Sequence, residues 1–171
     1  IDIMLQVAKA MWQMHSQGVV HRDLKPGNVL VRQVRVPELA SLGFLEVKLG
    51  DFGLSRENMV SSHPNVLTEN VGSSLYRAPE LSFKEYVRGG KNYPFKGDVW
   101  SFGIMFAEIL SGKIPYGEFM RLGDLKDKLM NGARPWIPEH CPDYLKFCIQ
   151  SCWDYDPKKR ATFSDIWGML R

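Results

Sequence analysis

The segment His21-Arg22-Asp23-Leu24-Lys25-Pro26-Gly27-Asn28 gathers the groups that chemistry at a phosphate needs. Asp23 and Asn28 are five positions apart with Lys25 between them, so one loop presents a carboxylate, an ammonium and an amide toward a common point. A carboxylate can orient an attacking hydroxyl and accept its proton. A cation can neutralise charge on a moving phosphoryl group, and an amide oxygen can help to hold magnesium.

Three further clusters follow. Asp51-Phe52-Gly53 comes just after the strand-like Val47-Lys48-Leu49. A carboxylate at a strand end, freed by a flexible glycine, suits a magnesium ion. Ala78-Pro79-Glu80 closes a long stretch rich in Ser, Asn and Thr, and Asp98-Val99-Trp100-Ser101-Phe102-Gly103 heads an apolar run. Each short motif recurs by chance. The loop motif is far more specific, and all four in this order are not coincidence.

These residues need a frame. Ile1, Met4, Leu5, Ala8, Met11, Trp12 and His15 recur at helical spacing, which predicts a helix over 1–17 with Gly18 as its stop. No cap precedes that helix, so the chain is expected to begin inside a folded unit. Short β-like runs follow at 19–20, 29–31 and 46–49. The stretch 51–76 lacks periodicity and is expected to be a long ordered loop, a length usually tied to function. Beyond Pro94, apolar residues on all sides predict a buried helix ended by Gly112. Helices are also expected over 122–130 and 143–153, and Thr162-Phe163-Ser164-Asp165 fits a capping box that opens a last short one.

A hydrophobic fraction of 44% supports a real core and excludes a disordered chain. The net charge of +3 comes from interspersed charges of both signs, so nothing points to nucleic acid or an anionic membrane. No apolar run approaches the roughly 20 residues that span a bilayer. Three cysteines make no disulfide framework and suit a reducing, cytoplasmic compartment. His140, Cys141, Cys148 and Cys152 leave a zinc site conceivable, although cysteine in an apolar helical stretch usually packs as a small hydrophobe.

Together the four motifs resemble those of the protein kinase family, and the resemblance covers essentially the whole chain. It implies the large lobe of a kinase: mainly α-helical, with a few short strands around the catalytic loop and without the small β-rich lobe. It implies Asp23 as catalytic base and Lys25 on the γ-phosphate of ATP. Asn28 and Asp51 would hold two Mg2+ (or Mn2+) ions, and Leu30 would lie under the adenine. His21 and Phe52, with Gly53 after it, would belong to a packed regulatory column, plain core packing being the alternative. Asp98 would brace the catalytic loop or else cap its helix. Glu80 and Arg160 would pair, the alternative being two solvated charges worth little. Arg22 before Asp23 is the pattern of kinases whose loop is ordered by phosphorylation, with Ser61, Ser62 and Thr68 as candidate acceptors.

Lys25-Pro26 resembles serine/threonine kinases, and Ser73 stands where the family commonly has Thr, keeping the hydroxyl. Residues 98–104, Gly132-Ala133-Arg134-Pro135 and Cys152-Trp153 with Asp156-Pro157 resemble the tyrosine-kinase-like group of those enzymes. Ala161 departs from that group, which usually has Pro after Arg160. Residues 32–46 lengthen the link from Asn28 to Asp51 and are expected to form a surface loop. No Gly-x-Gly-x-x-Gly occurs. Residues 1–171 are therefore expected to be part of a kinase domain whose partners are its own small lobe and protein substrates. Two functions fit: the phosphotransfer part of an active kinase, or a truncated module that binds without catalysis. The intact set Asp23, Lys25, Asn28 and Asp51 favours the first. Membrane attachment of a longer parent stays open.

Overall fold

A helix that is apolar on every side can be stable only at the centre of a fold. In the computed structural model that helix is Pro94–Ser111, with residues 97–107 all buried. The structure describes residues 1–34, 44–51, 56–57, 75–82, 93–117 and 122–171. Its helices are α1 (Asp2–Ser16), α2 (Pro79–Ser82), α3 (Pro94–Ser111), α4 (Leu122–Met130), α5 (Asp143–Cys152) and α6 (Phe163–Met169). Its strands are β1 (Val19–Val20), β2 (Val29–Val34), β3 (Phe44–Leu49) and β4 (Arg56–Glu57). The mainly helical large lobe expected from the motifs is therefore found.

Phe102 on α3 packs against Phe106 and, edge-on, Phe163 of α6, with ring centroids 4.5 and 5.4 Å apart. Trp12 of α1 stacks on Trp167 of α6 at 5.0 Å and 11°. Gly103 lets α3 and α5 touch: a Cβ there would sit 2.7 Å from Cys152 Cβ and 3.2 Å from the Ile149 carbonyl. Gly112, at φ 65°, ends α3 in the left-handed region, as the sequence predicts.

The strands form two antiparallel pairs. β1 pairs with β4, and β2 pairs with β3 in the register Val29↔Leu49 through Val34↔Phe44. The expected loop over 32–46 is thus strand at both flanks, because cross-strand pairing extends β2 to Val34 and starts β3 at Phe44. Residues 35–43 lie outside the described set.

All three cysteine side chains are buried in the core, Cys148 and Cys152 on α5 and Cys141 in the turn before it. Cys141 is not helical, contrary to the sequence expectation. Burial pushes the Cys148 thiol up to about 11 and raises that of Cys152 well above its ordinary value. Among the described residues no group of three or more His, Cys, Asp or Glu side chains is placed to hold a metal ion, and no helix is long and apolar enough to cross a membrane.

The capping box is present: the Asp165 amide donates to Thr162 Oγ1 at 3.2 Å, and Asp165 Oδ2 accepts from the Thr162 amide at 2.8 Å. The Thr162 hydroxyl first, and its amide second, hold the Asp165 carboxyl below its usual range. A carboxyl depressed by folding contributes stability that is complete above its unfolded pKa and lost as pH falls through the lower folded one. Thr162→Ala should cost about 1 kcal/mol at neutral pH. In a pH series of thermal melts that difference should shrink below about pH 4, where wild type loses the same bond. Gly103→Val should cost more, about 2–3 kcal/mol, because the colliding atoms are backbone and Cβ; chemical denaturation measures it.

Candidate active site

The loop after β1 is held from below by one carboxylate. Asp98 is 1% exposed and is the fifth residue of α3, inside the helix, so it is not an N-cap. Its Oδ2 accepts from the His21 amide at 2.8 Å, and its Oδ1 from the Arg22 amide at 2.8 Å. His15 Nε2 lies 2.9 Å from the same Oδ2. A buried carboxylate is tolerable only when its lone pairs are satisfied. The bracing alternative is the one observed. Arg22 sits at φ 70°, a strained conformation for a non-glycine residue, and its bond to Asp98 helps to hold it there.

Above this brace the polar residues of the loop converge. Lys25 Nζ donates to Asp23 Oδ2 at 2.7 Å. Asn28 Nδ2 donates to the Asp23 carbonyl at 2.7 Å and to its Oδ2 at 3.0 Å. Leu24, 1% exposed, anchors the loop in the core, and Pro26–Asn28 form a 3-10 turn that turns Asn28 back toward Asp23.

The Asp51 segment reaches the same place through Gly50. The Gly50 amide donates to the Asn28 carbonyl at 2.8 Å, and its carbonyl lies 3.2 Å from His21 Nε2. The His21 Nδ1 lies 3.3 Å from the Asp23 amide, so the ring bridges both segments with Nε2 as donor. Asp51 follows at once, exposed and at φ 55°, a conformation Asp tolerates better than most residues. Asp23, Lys25, Asn28 and Asp51 are thus brought to one end of the β2–β3 ribbon. Leu30 stands on that ribbon with 60% of its surface exposed. Phe52, Gly53 and Ser73, with Ser61, Ser62 and Thr68, lie outside the described residues.

A second polar tie lies across the core. Arg160 Nη1 and Nη2 meet Glu80 Oε1 and Oε2 at 2.6 and 2.8 Å, with the Arg160 side chain fully buried. Arg160 also donates to the Asp154 and Lys96 carbonyls, and the guanidinium groups of Arg134 and Arg160 each lie over the Trp100 ring, 4.8 Å from its centroid. The solvated-charge alternative therefore fails. Ala161 uses the amide that a proline would lack, donating to Ser151 at 3.0 Å.

Sequence reasoning missed two partners. His15 looked like one more member of an apolar face, yet its ring packs edge-on against Phe95 and Phe163 and its Nε2 faces Asp98. The Tyr76 hydroxyl donates to Glu108, while Ser101 donates to the Tyr76 carbonyl at 2.8 Å. Burial first and Glu108 second push the Tyr76 phenol up, so it stays a donor. No local pattern links residues so far apart in the chain.

A family model described as protein tyrosine and serine/threonine kinase matches residues 1–170. The chain belongs to the protein kinase family. It is 38% identical to a light-sensor protein kinase of Ceratodon purpureus, across all of this chain and 14% of that protein. It is 37% identical to a probable LIM domain-containing serine/threonine-protein kinase of Dictyostelium discoideum, across all of this chain and 16% of the relative. It is 32% identical to serine/threonine-protein kinase STY17 of Arabidopsis thaliana, over 99% of this chain and 26% of the relative. The chain thus spans about a quarter or less of the length of these relatives.

Removing one partner of a buried ion pair strands the other. Arg160→Ala in this kinase should cost about 3–5 kcal/mol, measured by denaturant unfolding. Glu80→Gln should cost less, because the amide keeps one acceptor for the guanidinium.

Proposed function

We propose that residues 1–171 form the large lobe of a protein serine/threonine kinase, which a small lobe completes to move the γ-phosphate of ATP onto protein hydroxyls. The observation that carries this reading is the clasp at Gly50, which joins the Asp23–Asn28 loop to the Asp51 turn. It supports one shared cleft for three polar side chains of one loop and a fourth, Asp51, from a later turn.

In this reading Asp23 orients the substrate hydroxyl and accepts its proton. Its carboxylate is oriented by Asn28 Nδ2, and Lys25, now on Asp23 Oδ2, is a cation placed to meet an incoming phosphate. Asn28 and Asp51 fit magnesium. Both offer hard oxygen ligands, and two protein ligands suit an ion that keeps its other positions for water and phosphate oxygens. The bonds of Asn28 to Asp23 use its Nδ2, so Oδ1 is the atom that would ligate a metal. Magnesium bound there with ATP would neutralise charge on the phosphates. Leu30, apolar and exposed, fits the floor of the adenine site. Serine/threonine selectivity is supported by Lys25-Pro26 and by relatives whose names carry that specificity.

The test uses the full-length protein with MgATP and radiolabelled phosphate. Asp23→Asn should lower incorporation by about 10²–10⁴-fold, the worth of a general base, and hydrolysed product should contain phosphoserine or phosphothreonine. Unchanged turnover would remove Asp23 from its role, and phosphotyrosine alone would overturn the specificity.

A further inference from the structure

The ribbon that carries Asn28 and Asp51 has a register problem. It is only two strands wide, which in isolation is marginal in water. Four of the six residues of β2, Leu30 through Gln33, are exposed, and among the described side chains of the ribbon Val29, Val47 and Leu49 pack on the core. Leu45, Val47 and Leu49 alternate along β3, so sliding the strand by two residues along α1 would present an apolar side chain to nearly the same place. Apolar burial is non-directional and does not distinguish the two registers. Such a slip would carry Asp51 about 7 Å along the strand direction.

Gln6 of α1 resolves the ambiguity. Its Nε2 donates to the Leu45 carbonyl at 2.7 Å, and its Oε1 accepts from the Val47 amide at 3.0 Å. The amide orientation is fixed, because the flipped form would set donor against donor and acceptor against acceptor. In the pairing with β2, residue 50 hydrogen-bonds toward residue 28, so residues 45, 47 and 49 turn their backbone groups to the outer edge. Gln6 therefore occupies on that edge two of the groups that a third strand would engage. The segment 45–51 is held at one end by Gln6 and at the other by the clasp of His21 and Asn28 on Gly50.

We infer that Gln6 is a positioning residue for the metal-binding end of the site: together with the clasp on Gly50, its amide sets the axial register of β3 against α1 and so helps to fix where Asp51 stands. The inference rests on the proposed function for its catalytic consequence, but not for its structural one. Only a side chain with a donor and an acceptor serves. Glu at this position keeps the bond from Val47 and sets a carboxylate against the Leu45 carbonyl; Leu keeps neither.

The experiment uses the full-length protein as wild type, Gln6→Glu and Gln6→Leu. Amide hydrogen exchange at Val47 should quicken about tenfold in Gln6→Leu, the effect of losing one hydrogen bond, while exchange at Ile104 in α3 stays unchanged. Half-saturation by Mg2+, at fixed ATP, should rise several-fold in Gln6→Leu and less in Gln6→Glu, with thermal midpoints close to wild type. Unchanged exchange at Val47 would overturn the inference. So would a lowered melting point with unchanged Mg2+ half-saturation, which marks a purely structural residue. A wild-type protein that transfers no phosphate would sink the proposed function instead, and the exchange measurement would still decide the role of Gln6.

Discussion

A carboxylate inside an apolar core is costly unless donors meet it, and Asp98 turns that requirement into architecture. Two of its partners among the described residues are consecutive backbone amides, at His21 and Arg22. They belong to the turn that enters the Asp23–Asn28 loop, so satisfying the carboxylate and shaping the loop are one event. A further partner, His15, comes from the helix that leads into the loop. A helix buried on all sides is the stiffest support available for this anchor. The strained Arg22 backbone is held against it.

The same helix serves the other end of the site. Trp100, two residues beyond Asp98, meets the guanidinium groups of both Arg134 and Arg160, and Arg160 takes Glu80 from α2. Ser101 holds the Tyr76 carbonyl, and Glu108 its hydroxyl. Apolar burial gives α3 its place, while directional polar bonds radiating from it position the Asp23–Asn28 loop, the 75–82 segment and the helices that follow. Non-directional forces build the lobe, and a small number of buried polar contacts decide where its chemistry stands.

Local pattern made much of this legible. The extent of α4, the all-round burial of α3 and the capping box of α6 follow from periodicity and residue type over a few positions. Asp23, Lys25 and Asn28 were legible because they share one short loop. What local pattern could not supply were contacts between distant residues. β4 has only two residues and owes its existence to pairing with Val19–Val20. The ends of β2 and β3 were underestimated because Arg32 to Val34 and Phe44 to Leu45 are drawn into the ribbon by pairing with one another. Asp98 could be a cap or a brace until its donors were seen. His15 and Gln6 looked like ordinary helix residues because what they bond lies in other elements. The single-residue difference at the end of α5 reflects the fraying of any helix terminus.

Packing α5 against α3 through Gly103 also fixes the behaviour of the thiols beneath. Cys148 and Cys152 are sealed in that seam, and their burial suppresses the thiolate, the form that reacts with electrophiles. An alkylating reagent reaches them only when the two helices part. The rate at which they become modified is therefore a built-in clock for the opening of the lobe, requiring no introduced probe.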